Sequence, residues 1–331
     1  MSNSKPKPKE PFGSKTPWAE PRSNPAQHTD LTALDDTDIF FFFTTPPTST
    51  RNHPVPPSPV LSWYDPRNPS PYYTEKHAAF RDKIRGFVDA DVIPNVSEWE
   101  KDNDTIPMAA YRKAGDVGLL AAVAGWPEIP GVPERPPGFD LFFSVIAQDE
   151  MCRCASGGVV WGLLGALAIG LPPIVHFGSK ALKQRVAVPC IRGEKRISLC
   201  VSEATAGSDV GSLKTEATLE GETYTIVGTK KWITGGLFAD FFTVACRTGG
   251  KGMQGVSLIL VERDNPGVSV RAMDCMGVKG SGTAFVEFDN VKVAHAQARM
   301  HRTPIHTHPY PLGPEVELHR QRRGSDAELR Q

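Results

Sequence analysis

At 331 residues and 36.0 kDa the chain is long enough for two ordinary domains, each with its own core. Thirty-seven Lys plus Arg balance thirty-seven Asp plus Glu, and the isoelectric point lies near 7.1. That balance argues against a nucleic-acid partner and against an acidic solvating tail. Six scattered cysteines fit a reducing, intracellular compartment (cytosol, mitochondrion or peroxisome) and set no disulfide framework.

Residues 1–71 hold half of the thirty prolines and show no sustained hydrophobic period, so a disordered, Pro-rich tail is expected there. Lys5, Lys7 and Lys9 alternate with prolines and no apolar core follows them, which is not a signal peptide. One apolar run, Ile39-Phe40-Phe41-Phe42-Phe43, interrupts this tail. Docking on a partner, docking on the body of the protein and a misread gene all remain open for it.

From Tyr72 the pattern becomes helical. Phe80, Ile84, Phe87, Val88 and Val92 recur at helical spacing, with Thr74 as the cap and Pro94 as the stop. A second helix is expected over about 106–117, leading into Gly118-Leu119-Leu120, followed by a Pro-rich loop over 127–137. Phe139, Phe142, Phe143, Ile146 and Ala147 mark a third helix. Cys152-Arg153-Cys154 is too tight for a zinc pair and reads as two buried thiols. The apolar run Gly157 to Leu171, closed by Pro172-Pro173, is a fourth helix of about 15 residues, short of the roughly 20 that span a bilayer. Its Gly158-x-x-x-Gly162 spacing reads as close packing inside a soluble core rather than as a membrane motif. Residues 178–190 make a last helix before the polar step at Arg192-Gly193-Glu194-Lys195.

After Arg196 the period shortens toward two. Ala217 to Leu219 and Tyr224 to Val227 flank a hairpin turn at Glu220-Gly221-Glu222. Phe242 to Cys246, Val256 to Val261, Val268 to Arg271 and Ala284 to Phe288 add short strands. The fold class expected is therefore α+β and multidomain. A helical domain over 72–193 precedes a small antiparallel β-barrel over 194–293, with disordered tails at 1–71 and 294–331. The last segment carries five of the nine histidines and six arginines. With no cysteine or carboxylate at ligand-like spacing, these histidines read as a solvated tail, and no metal site is expected.

The chemistry concentrates between Ser198 and Gly236. A short apolar strand breaks into Ser202-Glu203-Ala204-Thr205-Ala206-Gly207-Ser208-Asp209, a run of small residues whose amides can approach a ligand. Ser202, Thr205 and Ser208 add hydroxyls. A second strand ends in Trp232-Ile233-Thr234-Gly235-Gly236, and two-residue alternation would place Trp232 and Thr234 on one face. A flat heteroaromatic ring with a phosphate tail would use such parts: an indole to stack, hydroxyls for the ring edge, a glycine bend for the phosphate. Taken one at a time, each feature is also ordinary turn or core material.

Together these segments resemble the first two domains of the acyl-CoA dehydrogenase family over residues 72–293. The family's Thr/Ser-Glu-Pro-x-Ala-Gly-Ser-Asp segment stands here with Ala204 in the proline position, and its Trp-Ile-Thr/Ser-Asn-Gly segment with Gly235 in the asparagine position. A third stretch, from Met276-Gly277 through Ser281-Gly282-Thr283 to Val293, resembles the end of the middle domain. The resemblance implies FAD as cofactor and an acyl-CoA thioester as substrate, oxidised across its Cα–Cβ bond. It implies that Leu199, Cys200, Val201, Ser202, Ser208, Trp232, Ile233 and Thr234 line the flavin, with Ser208 also meeting the thioester. It further implies an electron-transfer flavoprotein or oxygen as acceptor and a homo-oligomer, with no membrane and no nucleic acid. The family's base is usually a glutamate on a C-terminal helical domain whose pattern is not found after Val293, so no catalytic residue is assigned. Glu203 reads as a structural acceptor rather than a base. Two readings stay open: an acyl-CoA dehydrogenase-like flavoenzyme, incomplete as given, and an inactive remnant that binds flavin or acyl-CoA or acts as an interaction protein.

Overall fold

The computed structural model describes residues 70–101 and 106–295. The apolar run at 39–43, the bulk of both tails and four of the five C-terminal histidines lie outside the described residues.

Helix α1, Glu75–Phe87, begins where Thr74 turns extended, and the Thr74 amide donates to His77 Nδ1 at 2.9 Å. The other nitrogen of His77 meets Asp140 at 3.1 Å, and Asp140 in turn accepts from the Phe142 amide at the start of α4, Leu141–Cys152. One buried imidazole therefore joins two helix N-termini. The apolar stripe Phe80, Ile84, Phe87, Val88 and Val92 is buried as its spacing requires. Pro94 does not stop the winding. A π turn, Val88–Val92, and a 3-10 turn, Ile93–Asn95, carry the chain past it into Val96–Trp99. Pro94 sits at the start of a short helical piece, where an amide has no partner to lose.

Between them lie α2, Met108–Asp116, and α3, Leu119–Val123, separated by Gly118 at φ 83°. The five-residue α3 is too short to show a helical period, and the sequence pattern does not announce it. The Pro-rich loop at 127–137 follows, pinned by Trp126 Nε1 donating to the Pro133 carbonyl at 2.9 Å. Cys154 is buried as expected but Cys152 is exposed: the helix ends at Cys152, and the turn that follows brings Cys154 back against the core.

Helix α5 runs over Gly157–Phe177, 21 residues, with a break at Leu171. Pro172 and Pro173 open its last piece, Pro172–Phe177, instead of ending it. By length and composition it could cross a membrane, yet half of its apolar window is buried inside the protein. Its glycines explain how. A Cβ on Gly158 would strike the Glu100 carboxylate, one on Gly162 would strike the Gly280 carbonyl, and one on Gly170 would lie 3.0 Å from the Ser198 carbonyl carbon. The small side of α5 thus packs on Glu100, the 279–281 segment and strand β1, Ile197–Cys200. A last helical path, α6, covers residues 180–191.

The remaining strands are β2, Glu216–Glu220; β3, Thr223–Ile233; β4, Phe241–Arg247; β5, Val256–Glu262; β6, Val268–Ala272; and β7, Ala284–Ala294. They form one seven-stranded sheet in the order β1-β4-β2-β3-β7-β6, with β5 on β4. The sheet is mixed rather than wholly antiparallel, since β1 runs parallel to β4 and β2 meets β4 in parallel at Glu216 and Arg247. The β2–β3 hairpin lies inside the connection from β1 to β4, and a crossover of that length permits the parallel pairing. Strand β4 is buried on both faces. Phe241 joins the helical core, Phe242, Val244 and Cys246 the sheet core. At the same junction Arg196 is buried between the rings of Tyr111 (4.8 Å) and Phe238 (5.7 Å) and donates to the Ile106 carbonyl.

Gly162→Ala pushes a methyl into the Gly280 carbonyl and Ile106 Cδ1, 2.8 Å away. It should cost ~1–3 kcal/mol despite alanine's better helix propensity, read as a lower urea midpoint. Gly157→Ala, whose new methyl would sit 3.6 Å from Val278 Cγ1, should leave the midpoint nearly unchanged. Equal midpoints for the two variants would refute the packing role of Gly162.

Candidate functional site

Strand β1 delivers the chain to the bend. Glu203 and Ala206 exchange backbone hydrogen bonds at 2.9 and 3.3 Å, which throws Ala204 and Thr205 outward on a tight loop. Gly207, Ser208 and Asp209 follow, all exposed. Gly207 has no atom within 4 Å of where a Cβ would stand, and its φ is not positive. Nothing in the protein's own packing requires glycine there, so the bend is an open cradle that a side chain would fill.

The two motifs are stitched together. The Lys231 amide donates to the Ser202 carbonyl at 2.9 Å, and Lys230 Nζ donates to the Val201 carbonyl at 3.1 Å. Trp232, next in line, is 50% exposed and holds φ at 60°. A left-handed indole-bearing residue is strained by about 1 kcal/mol or more, and such strain persists only where the surroundings enforce it. Here the β3–β7 register slips between Lys230 and Ile233, a bulge that turns the indole out of the sheet. The Trp232 amide donates to Met273 Sδ at 3.4 Å and the Lys231 ammonium lies 4.5 Å from the indole centroid.

The bulge corrects the strand-face expectation. Strand β3 ends at Ile233, so Thr234 belongs to the following turn and two-residue alternation does not relate it to Trp232. The turn that carries Thr234 is clamped to the third motif, with Gly235 donating to the Ser281 carbonyl at 2.8 Å and Leu237 to the Gly282 carbonyl at 3.1 Å. All three motifs therefore meet at one edge of the sheet. Gly235, at φ 70°, also admits α5: a Cβ there would come within 2.6 Å of the Ala166 methyl.

The remaining residues divide by burial. Leu199, Val201, Ser202 and Thr234 are half-buried and Ser208 is exposed. Cys200 and Ile233 turn their side chains into the sheet core, so they offer a ligand only backbone. Among the described residues, the hydroxyls of Ser202, Ser208 and Thr234 have no hydrogen-bond partner.

Behind the bend lies a buried ion pair. The Glu203 carboxylate accepts from Lys230 Nζ (2.8 Å), the Thr215 hydroxyl (2.7 Å), the Thr215 amide (2.9 Å) and the Lys214 amide (2.7 Å). Glu203 is 5% exposed and Lys230 not at all. Burial alone would raise the carboxyl pKa, but the donated hydrogen bonds, led by Lys230 and Thr215, outweigh it and hold the group below its ordinary value. A carboxylate so engaged is a structural acceptor, as its place in the motif suggested, and is unsuited to lift a proton. Gly228 makes room for this arrangement: a Cβ there would lie 2.7 Å from Thr215 Cα. Burial also pushes up the neighbouring thiols, Cys246 to about 12 and Cys200 further still, with the Lys230 charge partly opposing the rise.

Lys230 and Thr215 did not stand out as sequence. The available signal was alternation, since Tyr224, Ile226, Gly228 and Lys230 fall on one face of β3 and the first two are core. Among the described residues no group of three or more His, Cys, Asp or Glu could hold a metal.

A helical layer packed on a mixed sheet, with an open bend and an outward indole at one sheet edge, defines the class of helix-then-sheet folds to which this chain belongs. Two family models match it: the N-terminal domain of acyl-CoA dehydrogenase over residues 74–194 and the middle domain over residues 198–291. The chain belongs to the acyl-CoA dehydrogenase family. The acyl-CoA dehydrogenase AFT10-1 of Alternaria alternata is 36% identical over 241 residues, covering 70% of this chain and 55% of that protein. The structure of a putative acyl-CoA dehydrogenase from Mycobacterium smegmatis superimposes with a TM-score of 0.65 at 37% identity, covering 70% of this chain and 60% of the other. An acyl-CoA dehydrogenase from Bacillus anthracis, solved in complex with FAD, matches with a TM-score of 0.59 at 26% identity, covering 70% of this chain and 38% of that one. The chain spans about half the length of the curated relatives it matches.

Glu203 has a folded pKa below its ordinary value of 4.5. Its contribution to stability is therefore complete above that value and is lost as pH falls through the lower folded value. Comparing urea midpoints of wild type and Glu203→Gln should give a constant gap from about pH 7 to 5 that narrows in acid. A gap that widens in acid would overturn the assignment.

Proposed function

We propose that this chain supplies the flavin-facing half of an FAD-dependent acyl-CoA dehydrogenase acting on the CH–CH group of an acyl-CoA thioester. The observation that carries the reading is the open Gly207 cradle tied by Lys230 and Lys231 to a strained, half-exposed Trp232. A glycine that the fold does not need and an indole that the fold turns outward both make sense against a flat, phosphate-bearing ligand. The FAD complex of the Bacillus anthracis relative supports the choice of cofactor.

When bound, FAD supplies a hydride acceptor for oxidation of the Cα–Cβ bond. Trp232 gives the ring an apolar wall and keeps water from it. The hydroxyls of Ser202 and Thr234 meet the polar ring edge. The backbone of Leu199, Cys200, Val201 and Ile233 completes that wall, and Ser208 meets the phosphate side or the thioester. Each hydroxyl adds only about 1 kcal/mol net, so affinity depends on the indole and the bend together. Glu203 holds the bend and moves no proton. The electron acceptor is an electron-transfer flavoprotein or oxygen.

A second reading, a ligand-binding chain without turnover, is favoured by one observation: the carboxylate of the flavin-side motif is committed to four donors and cannot serve as base.

The full 331-residue chain, purified and titrated with FAD, should show bound oxidised flavin in its visible spectrum. Trp232→Ala should weaken FAD binding by about tenfold or more. Bleaching of the bound flavin by an acyl-CoA supports the dehydrogenase, and bound flavin that no acyl-CoA bleaches supports the binding chain. Failure to bind FAD at all, or unchanged affinity in Trp232→Ala, would overturn the site.

A further inference from the structure

We infer that Lys230 is the positioning residue of the cofactor bend, a role that rests on the flavin reading above. The bend has two legs. The incoming leg ends at the Val201 carbonyl, and the outgoing leg returns through Lys214 and Thr215, whose amides bind Glu203. The ammonium reaches the incoming leg directly, at Val201 O (3.1 Å), and the outgoing leg through Glu203 Oε1 (2.8 Å), while Arg247 also donates to the Gly211 and Leu213 carbonyls of the outgoing leg. Between the legs Ala204, Thr205, Gly207, Ser208 and Asp209 are exposed, Ala206 is buried against Leu213 and Ala245, and the segment's hydrogen bonds are the short Glu203–Ala206 bridge and those Asp209 accepts from the Ser212 amide (3.1 Å) and hydroxyl (2.5 Å). Their placement therefore depends on what fixes the two ends.

Lys230 also sits two residues before Trp232 on the same strand, at the near side of the bulge. Its anchorage thus sets the distance between the bend and the indole. Its ammonium is wholly buried and cannot touch a ligand. It acts on the cofactor through the backbone it holds, which distinguishes it from Ser202, Ser208 and Thr234.

The test uses the full chain with Lys230 and Glu203 replaced together, as Lys230→Met with Glu203→Gln. Neutralising both partners avoids leaving one buried charge alone, and the introduced glutamine keeps a side-chain oxygen for the Lys214 and Thr215 donors. The expected result is a urea midpoint close to wild type, amide hydrogen exchange across 204–213 at least about tenfold faster without ligand, and FAD binding at least about tenfold weaker. Unchanged exchange together with unchanged FAD affinity would overturn the inference, as would a loss of affinity without faster exchange. Should wild type bind no FAD, the flavin reading falls while the exchange measurement still decides whether Lys230 fixes the bend. If the double variant does not fold, Thr215→Val removes one hydroxyl from the same carboxylate and keeps both charges. It should accelerate exchange in the same segment by about threefold, a hydrogen bond's worth, and no acceleration would overturn the inference.

Discussion

A lysine and a glutamate buried together hold the functional edge of this protein in place. Taking two charges out of water costs several kcal/mol per ion, and an arrangement like this is stable only when the carboxylate's remaining lone pairs are filled. Glu203 meets that condition with two amides and a hydroxyl besides the ammonium. All its donors come from outside the bend, so the carboxylate ties the loop down without being part of its exposed surface. The bend itself can then stay open at Gly207. A charge pair at the surface, screened by water and with both side chains free to move, contributes about 0–1 kcal/mol and could not fix a loop in this way.

The helical layer is held to that edge by close contact more than by charge. Gly158, Gly162 and Gly170 let α5 touch Glu100, the Gly280 backbone and the β1 backbone in turn. Glu100 bridges the same seam, accepting from the Ser156 hydroxyl in the helical layer and from the Gly280 amide beside the sheet at 2.8 Å. Arg196, clasped by Tyr111 and Phe238, closes the seam from the other side, with burial lowering its affinity for its proton. The segment 278–283 thereby belongs to both layers, and through Ser281 and Gly282 it also sets the turn that carries Thr234. The candidate edge and the seam between helices and sheet share their backbone.

Much of this was legible in the chain. The helical stripe from Phe80 to Val92, the hairpin at Gly221 and the strands at Phe242, Val256, Val268 and Ala284 follow from period and turn chemistry. Three motifs in order give the family and the edge of the sheet at which they gather. What was not legible depends on single residues displaced from their pattern. Pro94, Pro172 and Pro173 look like stops, and become starts because a proline at the first turn of a helix loses no hydrogen bond. Cys152 and Cys154 look alike, yet one ends a helix facing solvent and the other is turned into the core just beyond it. Trp232 and Thr234 look like a strand pair, and one extra residue in a bulge separates them.

Sequence alone determined the fold class, the helical-then-strand order and the motifs that mark the family, since these depend on local period and on runs of small residues and one indole. Only the tertiary structure decided that β1 pairs in parallel, that the indole is turned outward at a left-handed φ, and that Glu203 is spent on Lys230 and Thr215. Those outcomes arise from contacts between segments well separated along the chain. No local pattern encodes which buried donor will meet which acceptor once the strands have closed.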